Sequence, residues 1–113
     1  MLRIDGAFWI DRDEAPSRAA GWSYAEALRW CLSQGKRLPT EPEWEAAARS
    51  GIARDLEGRT AEWTATPGSE PDTRVVRGGH WRLPPGAAST EPREELPIGR
   101  RRPTLGVRCA KSD

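Results

Sequence analysis

The chain is 113 residues long, 36% hydrophobic and 31% charged, with 18 basic against 17 acidic residues and a formal net charge of +1. That length holds one domain with one modest core, so 1–113 reads as a single domain and multi-domain machinery is excluded. The near-zero charge creates no global field toward nucleic acid or anionic lipid, no apolar run approaches the roughly 18 residues of a membrane span, and the charged start lacks an export leader's apolar stretch; the expected location is cytoplasmic.

Phe8-Trp9-Ile10, followed by Asp11-Arg12-Asp13-Glu14 and Pro16, predicts a short strand ending in a polar turn. Ser23 then precedes Tyr24, Leu28 and Cys31 at i, i+4 and i+7, with Glu26 as the other half of a capping box and Gly35 as a left-handed stop. This spacing predicts a helix over Tyr24 to Gln34. Thr40 and Glu43 form a second capping box, Pro42 falls in the first turn where its missing N–H costs nothing, and Gly51 closes the helix, whose inner face is Trp44, Ala47 and Ala48. Glu41, Glu43 and Glu45 crowd its N-terminal turn, where the helix dipole favours negative charge; that reading is preferred to a metal site.

Beyond Gly51 no helical period survives, and seven of the ten prolines lie there. Glu62-Trp63-Thr64, Arg74-Val75-Val76-Arg77 and Leu105-Gly106-Val107-Arg108-Cys109 are the predicted strands. From Trp81 to Pro103 there is no dependable period, and a loop that long in a small domain is commonly functional. Helices first and strands after predict an α+β fold. Six Trp against one Tyr and one Phe point to a tryptophan-built core. Sixteen of the 18 basic residues are Arg, which suits bidentate pairing and stacking on aromatic rings.

Gly35-Lys36-Arg37-Leu38-Pro39-Thr40-Glu41-Pro42-Glu43-Trp44-Glu45 resembles the GKRLPTEAEWE signature of the formylglycine-generating enzyme and sulfatase-modifying-factor family. Three further segments resemble the family's motifs in the same order: Asp55 to Thr64, then Arg74-Val75-Val76-Arg77-Gly78-Gly79-His80-Trp81, then Leu105-Gly106-Val107-Arg108. Phe8 to Glu14 is similar to the family's opening strand. The resemblance implies a C-type-lectin-like fold: two helices packed on a small, twisted antiparallel sheet, with extensive irregular loops presenting a ligand surface. Family members commonly run to about twice this length, so the chain is expected to be a minimal version of the domain.

Catalytic members carry two cysteines, spaced C-x-x-x-x-C after the glycine pair, that bind copper(I) and activate oxygen. Here those positions fall at Leu83 and Ala88, and a carbon side chain cannot replace thiolate as a soft-metal ligand. The sulfoxide-synthase branch uses iron held by three histidines, whereas this chain has one, His80. No cofactor is therefore expected. Calcium enters only through Glu62, since the corresponding segment of larger relatives supplies a carboxylate to that ion; Arg59 beside it opposes a cation, and pairing of Glu62 with an arginine is preferred.

Cys31 and Cys109 match positions that in the longer enzymes resemble a structural disulfide, which would close a loop of about 78 residues and contribute about 4 kcal/mol. Two buried free thiols in a reducing cytosol are the competing reading. His80 reads as a hydrogen-bonded strand residue before it reads as a ligand. Arg37, Arg77, Arg93 and Arg108 fall on family arginine positions, with a structural role as the default. Arg100-Arg101-Arg102 reads as a solvated face neutralised by Glu91, Glu94 and Glu95 rather than a phosphate patch. The calcium triplet of carbohydrate-binding lectins is absent, Glu91-Pro92-Arg93 matching it only superficially.

These readings lead to a non-catalytic binding module whose Trp81 to Pro103 loop meets a protein or small-molecule ligand through His80, Trp81, Arg82, Arg93 and Arg100. The variable proteins of diversity-generating retroelements use the same scaffold for binding. The alternative is a sulfatase-modifying-factor-type oxidoreductase, or an enzyme subunit completed by another chain. Neither nucleic acid nor membrane is an expected partner, and an apolar patch where the family's insertions are missing is an expected homodimer surface.

Overall fold

The computed structural model describes residues 2–4, 8–11, 21–50, 61–78, 93–102 and 105–112. Within them lie seven strands and two helices: β1 (Leu2–Ile4), β2 (Phe8–Ile10), α1 (Tyr24–Ser33), α2 (Glu41–Ser50), β3 (Ala61–Pro67), β4 (Thr73–Gly78), β5 (Arg93–Pro97), β6 (Leu105–Gly106) and β7 (Ala110–Ser112). The strands form two sheets, one in the order β1-β2-β7 and one in the order β5-β4-β3-β6. All pairings are antiparallel except β3 with β6.

Both helices start as the capping boxes predict. The Ser23 N–H donates to Glu26 Oε1 at 2.9 Å while the Glu26 N–H donates to Ser23 Oγ at 3.4 Å. At α2 the Thr40 N–H donates to Glu43 Oε1 at 2.9 Å and the Glu43 N–H to Thr40 Oγ1 at 3.3 Å. Two of the N–H groups that a helix start leaves without intrahelical partners are thereby satisfied at each end. Helix α1 stops because Gly35 takes φ +72°, a conformation without penalty only for glycine, which lets the Lys36 N–H return to the Cys31 carbonyl at 2.8 Å.

The four-stranded sheet is covered on both faces. Side chains alternate between faces along a strand, so Ala61 and Trp63 of β3, Val76 of β4 and Leu96 of β5 meet Ala27 and Cys31 of α1 in the larger core cluster, which Leu38, Leu105, Val107 and Cys109 complete. Tyr24 meets Trp63 edge-on, with centroids 5.8 Å apart, and Trp63 donates its indole N–H to the Trp22 carbonyl at 2.8 Å. The opposite face carries Glu62, Val75 and Arg77 toward α2. There a smaller cluster joins Trp44 and Ala47 of α2 to Phe8 and Ile10 of β2, with Ala48 packed against it. Phe8 and Ile10 are buried with Trp9 only partly so, the alternation expected of a half-buried strand.

Three predicted features change. The single strand over Leu105 to Cys109 is instead a two-residue β6 paired to β3, a crossing segment, and β7 in the other sheet. Residues 105–110 are buried without interruption, because this stretch passes from one sheet to the other through the core. The Trp81 to Pro103 loop contains a strand, β5, paired along its whole length with β4. Its sequence, Arg-Glu-Glu-Leu-Pro, has one apolar residue facing the core and no β-branched residue, so the strand signal is hidden under charge. β1 was too short and too close to the start to stand out. The fold class, α+β, is as the sequence implies.

Candidate functional site

The first turn of α2 is built to hold arginines. Arg37 lies just before it, and its Nη1 and Nη2 grip Glu43 in a bidentate pair at 2.7 and 2.8 Å while Nη1 also donates to the Leu38 carbonyl at 3.1 Å. Burial pushes the Glu43 carboxyl up, but Arg37 and the Thr40 N–H outweigh it and leave the group below the usual carboxylate range. The guanidinium of Arg37 is correspondingly held more firmly protonated.

On the sheet face opposite α2, Arg77 of β4 has a fully buried side chain. It lies over the Trp44 ring, 5.1 Å from the centroid, and its Nη1 donates to Glu41 Oε2 at 2.9 Å and also to Glu45 Oε1. Directly across the ladder on β5, Arg93 donates through Nε to the same Glu41 Oε2 at 2.8 Å and through Nη1 to Glu95 Oε2 at 2.8 Å. Glu95 Oε1 in turn accepts from the Ser69 N–H at 2.8 Å and the Ser69 hydroxyl at 2.7 Å. The Ser69 backbone N–H, then its hydroxyl and then Arg93 hold the Glu95 carboxyl down at about 2. The result is a charged network spanning α2, β4, β5 and the β3–β4 turn.

A second buried arginine has a carboxylate partner that is buried as well. Arg108 and Glu62 are 0% and 1% exposed at their side chains, with Arg108 Nε 3.1 Å from Glu62 Oε1 and Nη2 3.1 Å from Oε2. The Trp44 indole N–H donates to Glu62 Oε1 at 3.0 Å, and Arg108 Nη1 donates to the Asp11 carbonyl at 3.0 Å. Both carboxylate oxygens of Glu62 thus accept from donors, Oε1 from the Trp44 indole and Arg108 and Oε2 from Arg108, an arrangement that suits a guanidinium and not a calcium ion.

Cys31 and Cys109 form a disulfide, with Cα atoms 5.5 Å apart, that ties α1 to the crossing segment before β7. These are the only two cysteines in the 113 residues, so the bond leaves no thiolate to ligate copper(I), and the family's catalytic metal does not fit the donors present. Among the described residues no three His, Cys, Asp or Glu side chains converge to hold a metal ion.

Of the five residues read as ligand contacts, His80, Trp81 and Arg82 lie outside the described residues, as do Leu83, Ala88, Arg59 and Glu91. Arg93 is not on a loop; it opens β5, and it is 42% exposed at its side chain despite two carboxylate partners. Arg100 is exposed in the turn beyond the far end of β5, so the strand separates these two rather than bringing them together. The arginine run is neutralised only in part by the neighbouring glutamates, since Glu94 meets Arg102 while Glu95 is engaged by Arg93 and Ser69 and the partner of Arg101 comes from α1. Arg101 lies 2.6 Å from Glu26, and Arg102 makes a bidentate pair with Glu94 at 2.9 and 3.1 Å, which holds the Glu94 carboxyl below its ordinary range.

The motif order, the helix–sheet layout and the paired cysteines all coincide with one family, and the comparisons bear on the same point. The formylglycine-generating enzyme of Streptomyces coelicolor is 38% identical over 92 residues, covering 72% of this chain. The chain belongs to the formylglycine-generating-enzyme family. Another relative, from Bos taurus, is named inactive C-alpha-formylglycine-generating enzyme 2 and is 38% identical over 72 residues, covering 55% of this chain. The formylglycine-generating enzyme of Thermomonospora curvata is 36% identical over 61 residues, or 45% of the chain. The chain spans only 24%, 22% and 20% of these three relatives' own lengths. Among solved structures, PvdO from Pseudomonas aeruginosa superposes with a TM-score of 0.65 over 83% of this chain and 61% of its own, at 17% identity, and shares the C-type-lectin-like fold. No protein-family model matches the chain.

The network around Glu41 was missed in the sequence. The glutamates of α2 read as dipole partners, whereas Glu41 and Glu45 reach across to β4. The signal was present as parity: Arg77 sits two residues after buried Val75, on a face that must be buried too. A buried guanidinium demands a carboxylate, and α2 supplies Glu41 and Glu45.

Proposed function

We propose that this chain is a non-catalytic binding module built on the formylglycine-generating-enzyme scaffold. The observation that carries the reading is the use of its cysteines. Both are joined in the disulfide between α1 and the crossing segment, and the positions aligned with the catalytic pair hold Leu83 and Ala88. The scaffold motifs are kept while the soft-metal ligands are lost, which is the pattern of a fold retained for binding. The Bos taurus relative named as inactive supplies a parallel within the family. The partner is a protein or a small molecule, met at the end of the sheet where β4 ends and β5 begins.

The alternative, an oxidoreductase of the sulfatase-modifying type or a subunit completed by a second chain, is favoured by the relatives named as formylglycine-generating enzymes. Copper(I) competition against a chromogenic chelator, with oxygen uptake measured in the presence of a cysteine-containing peptide, separates the two. The binding-module reading expects no copper taken from the chelator and no peptide-dependent oxygen uptake. Stoichiometric copper with peptide-dependent uptake would overturn it.

A further inference from the structure

Arg77 and Arg93 are register partners on adjacent antiparallel strands, so two guanidinium groups face the same side at cross-strand distance. Like charges in that position destabilise a strand pair unless a counter-charge joins them. A single atom does so here: Glu41 Oε2 accepts from Arg77 Nη1 at 2.9 Å and from Arg93 Nε at 2.8 Å. The same residue is fixed at its backbone, because the Glu41 N–H donates to Thr66 Oγ1 on β3 at 2.8 Å. Glu41 therefore touches β3, β4 and β5 in the order in which they lie in the sheet. In the contacts described above the other carboxylates of the network each meet one of the two arginines, Glu45 meeting Arg77 and Glu95 meeting Arg93 together with Ser69 of the β3–β4 turn.

The place matters because β4 ends at Gly78 and β5 begins at Arg93. These two strand ends bracket residues 79–92, where three of the five sequence-read contact residues stand. We propose that Glu41 is a positioning residue: α2, through this one carboxylate, sets the spacing of β4 and β5 at the root from which residues 79–92 depart. Its use in binding rests on the module reading above, but its action on β5 does not. Removing Glu41 leaves each arginine a carboxylate of its own, so the variant is expected to fold, and what disappears is the shared side-chain contact that reinforces the β4–β5 ladder at this end.

Amide hydrogen exchange of the full chain tests this. Glu41→Gln is expected to raise exchange over residues 93–96 by about twofold to fivefold, the scale of a half-exposed ion pair, with β3 and α1 unchanged. Glu41→Asp, which keeps the charge on a shorter arm, gives a smaller rise, and Glu45→Gln leaves β5 as it was. If Glu41 acts through Arg93, then Arg93→Gln alone reproduces the effect and the double variant is no worse than either single one. Unchanged β5 exchange in Glu41→Gln overturns the proposal, as does a rise spread equally over α1, β3 and β5. Failure to find any ligand overturns the binding-module reading instead and leaves the exchange result standing.

Discussion

Replacing Glu62 by Gln should be the most damaging conservative change among the described residues. The amide has nearly the same shape and can still accept from the Trp44 indole N–H, so packing is kept. What is lost is the charge opposite Arg108, whose side chain is fully buried and whose Nε and Nη2 both point at the carboxylate. Breaking a buried ion pair by neutralising one partner typically costs about 3–5 kcal/mol. A domain of this size has a total stability of about 5–15 kcal/mol, so the variant sits near the edge of folding. Urea unfolding followed by the six tryptophans gives the midpoint directly. Removing both charges together, as Glu62→Leu with Arg108→Met, should recover most of the loss, because the desolvation of both ions disappears with their attraction. A Glu62→Gln variant within about 0.5 kcal/mol of the parent, the range of an ordinary surface change, would refute the claim that this pair is desolvated. Millimolar calcium should leave the parent midpoint unmoved, since an ion bound only by the folded chain would raise it by mass action.

Two other predictions follow from the geometry. Reducing the Cys31–Cys109 bond opens a 78-residue loop and should lower stability by about 4 kcal/mol on the chain-entropy estimate; unfolding curves with and without reductant, with alkylation mass shifts confirming the thiol state, measure it. The same alkylation on chain recovered from its native compartment reports location, since a persistent disulfide indicates oxidising surroundings and two modified thiols a reducing one. Because the folded Glu95 carboxyl is held at about 2, below its unfolded value, it contributes stability that is full above the unfolded carboxylate range and is lost as pH falls toward 2. Stability should therefore decline between about pH 4.5 and 2, and Glu95→Gln should flatten that decline. An unaltered pH profile in the variant would count against the Ser69 and Arg93 contacts.

The helices were legible because their start signals are local: Ser23 with Glu26 and Thr40 with Glu43 act over three residues, and an i, i+4, i+7 stripe needs no knowledge of the partner. The strands were legible as alternation where burial was one-sided, and as short aromatic or β-branched runs at Glu62-Trp63-Thr64 and Arg74-Val75-Val76-Arg77. Phe8-Trp9-Ile10 shows alternation because its other face is partly open, while residues 105–110 conceal a change of sheet because everything along them is buried. β5 was hidden for the opposite reason, its charged side chains masking the strand pattern while they pair with α2, the β3–β4 turn and the arginine run. The cysteine pairing came from family resemblance, and the residues alone left free thiols equally open. At the candidate site, Arg93 could be named but not placed, because its partners Glu41 and Glu95 lie 52 positions away and two positions away, and only folding shows that they converge.

The excess of arginine over lysine is explained by what each guanidinium spans. Arg108 joins β3 to the backbone after β2 by using Nε, Nη1 and Nη2 together, and Arg37 reaches Glu43, the Leu38 carbonyl and the Ser112 hydroxyl of β7 from one side chain. Lysine has three donors on one nitrogen and cannot hold partners separated by the width of a fork. Arg77 adds a flat face that stacks on Trp44 while its nitrogens meet carboxylates, a combination an ammonium lacks. These arginines do with planar geometry what a larger apolar core does in a longer domain. The partners named here all lie on the helices, the strands and the backbone adjoining them, at sequence positions separate from Leu83 and Ala88.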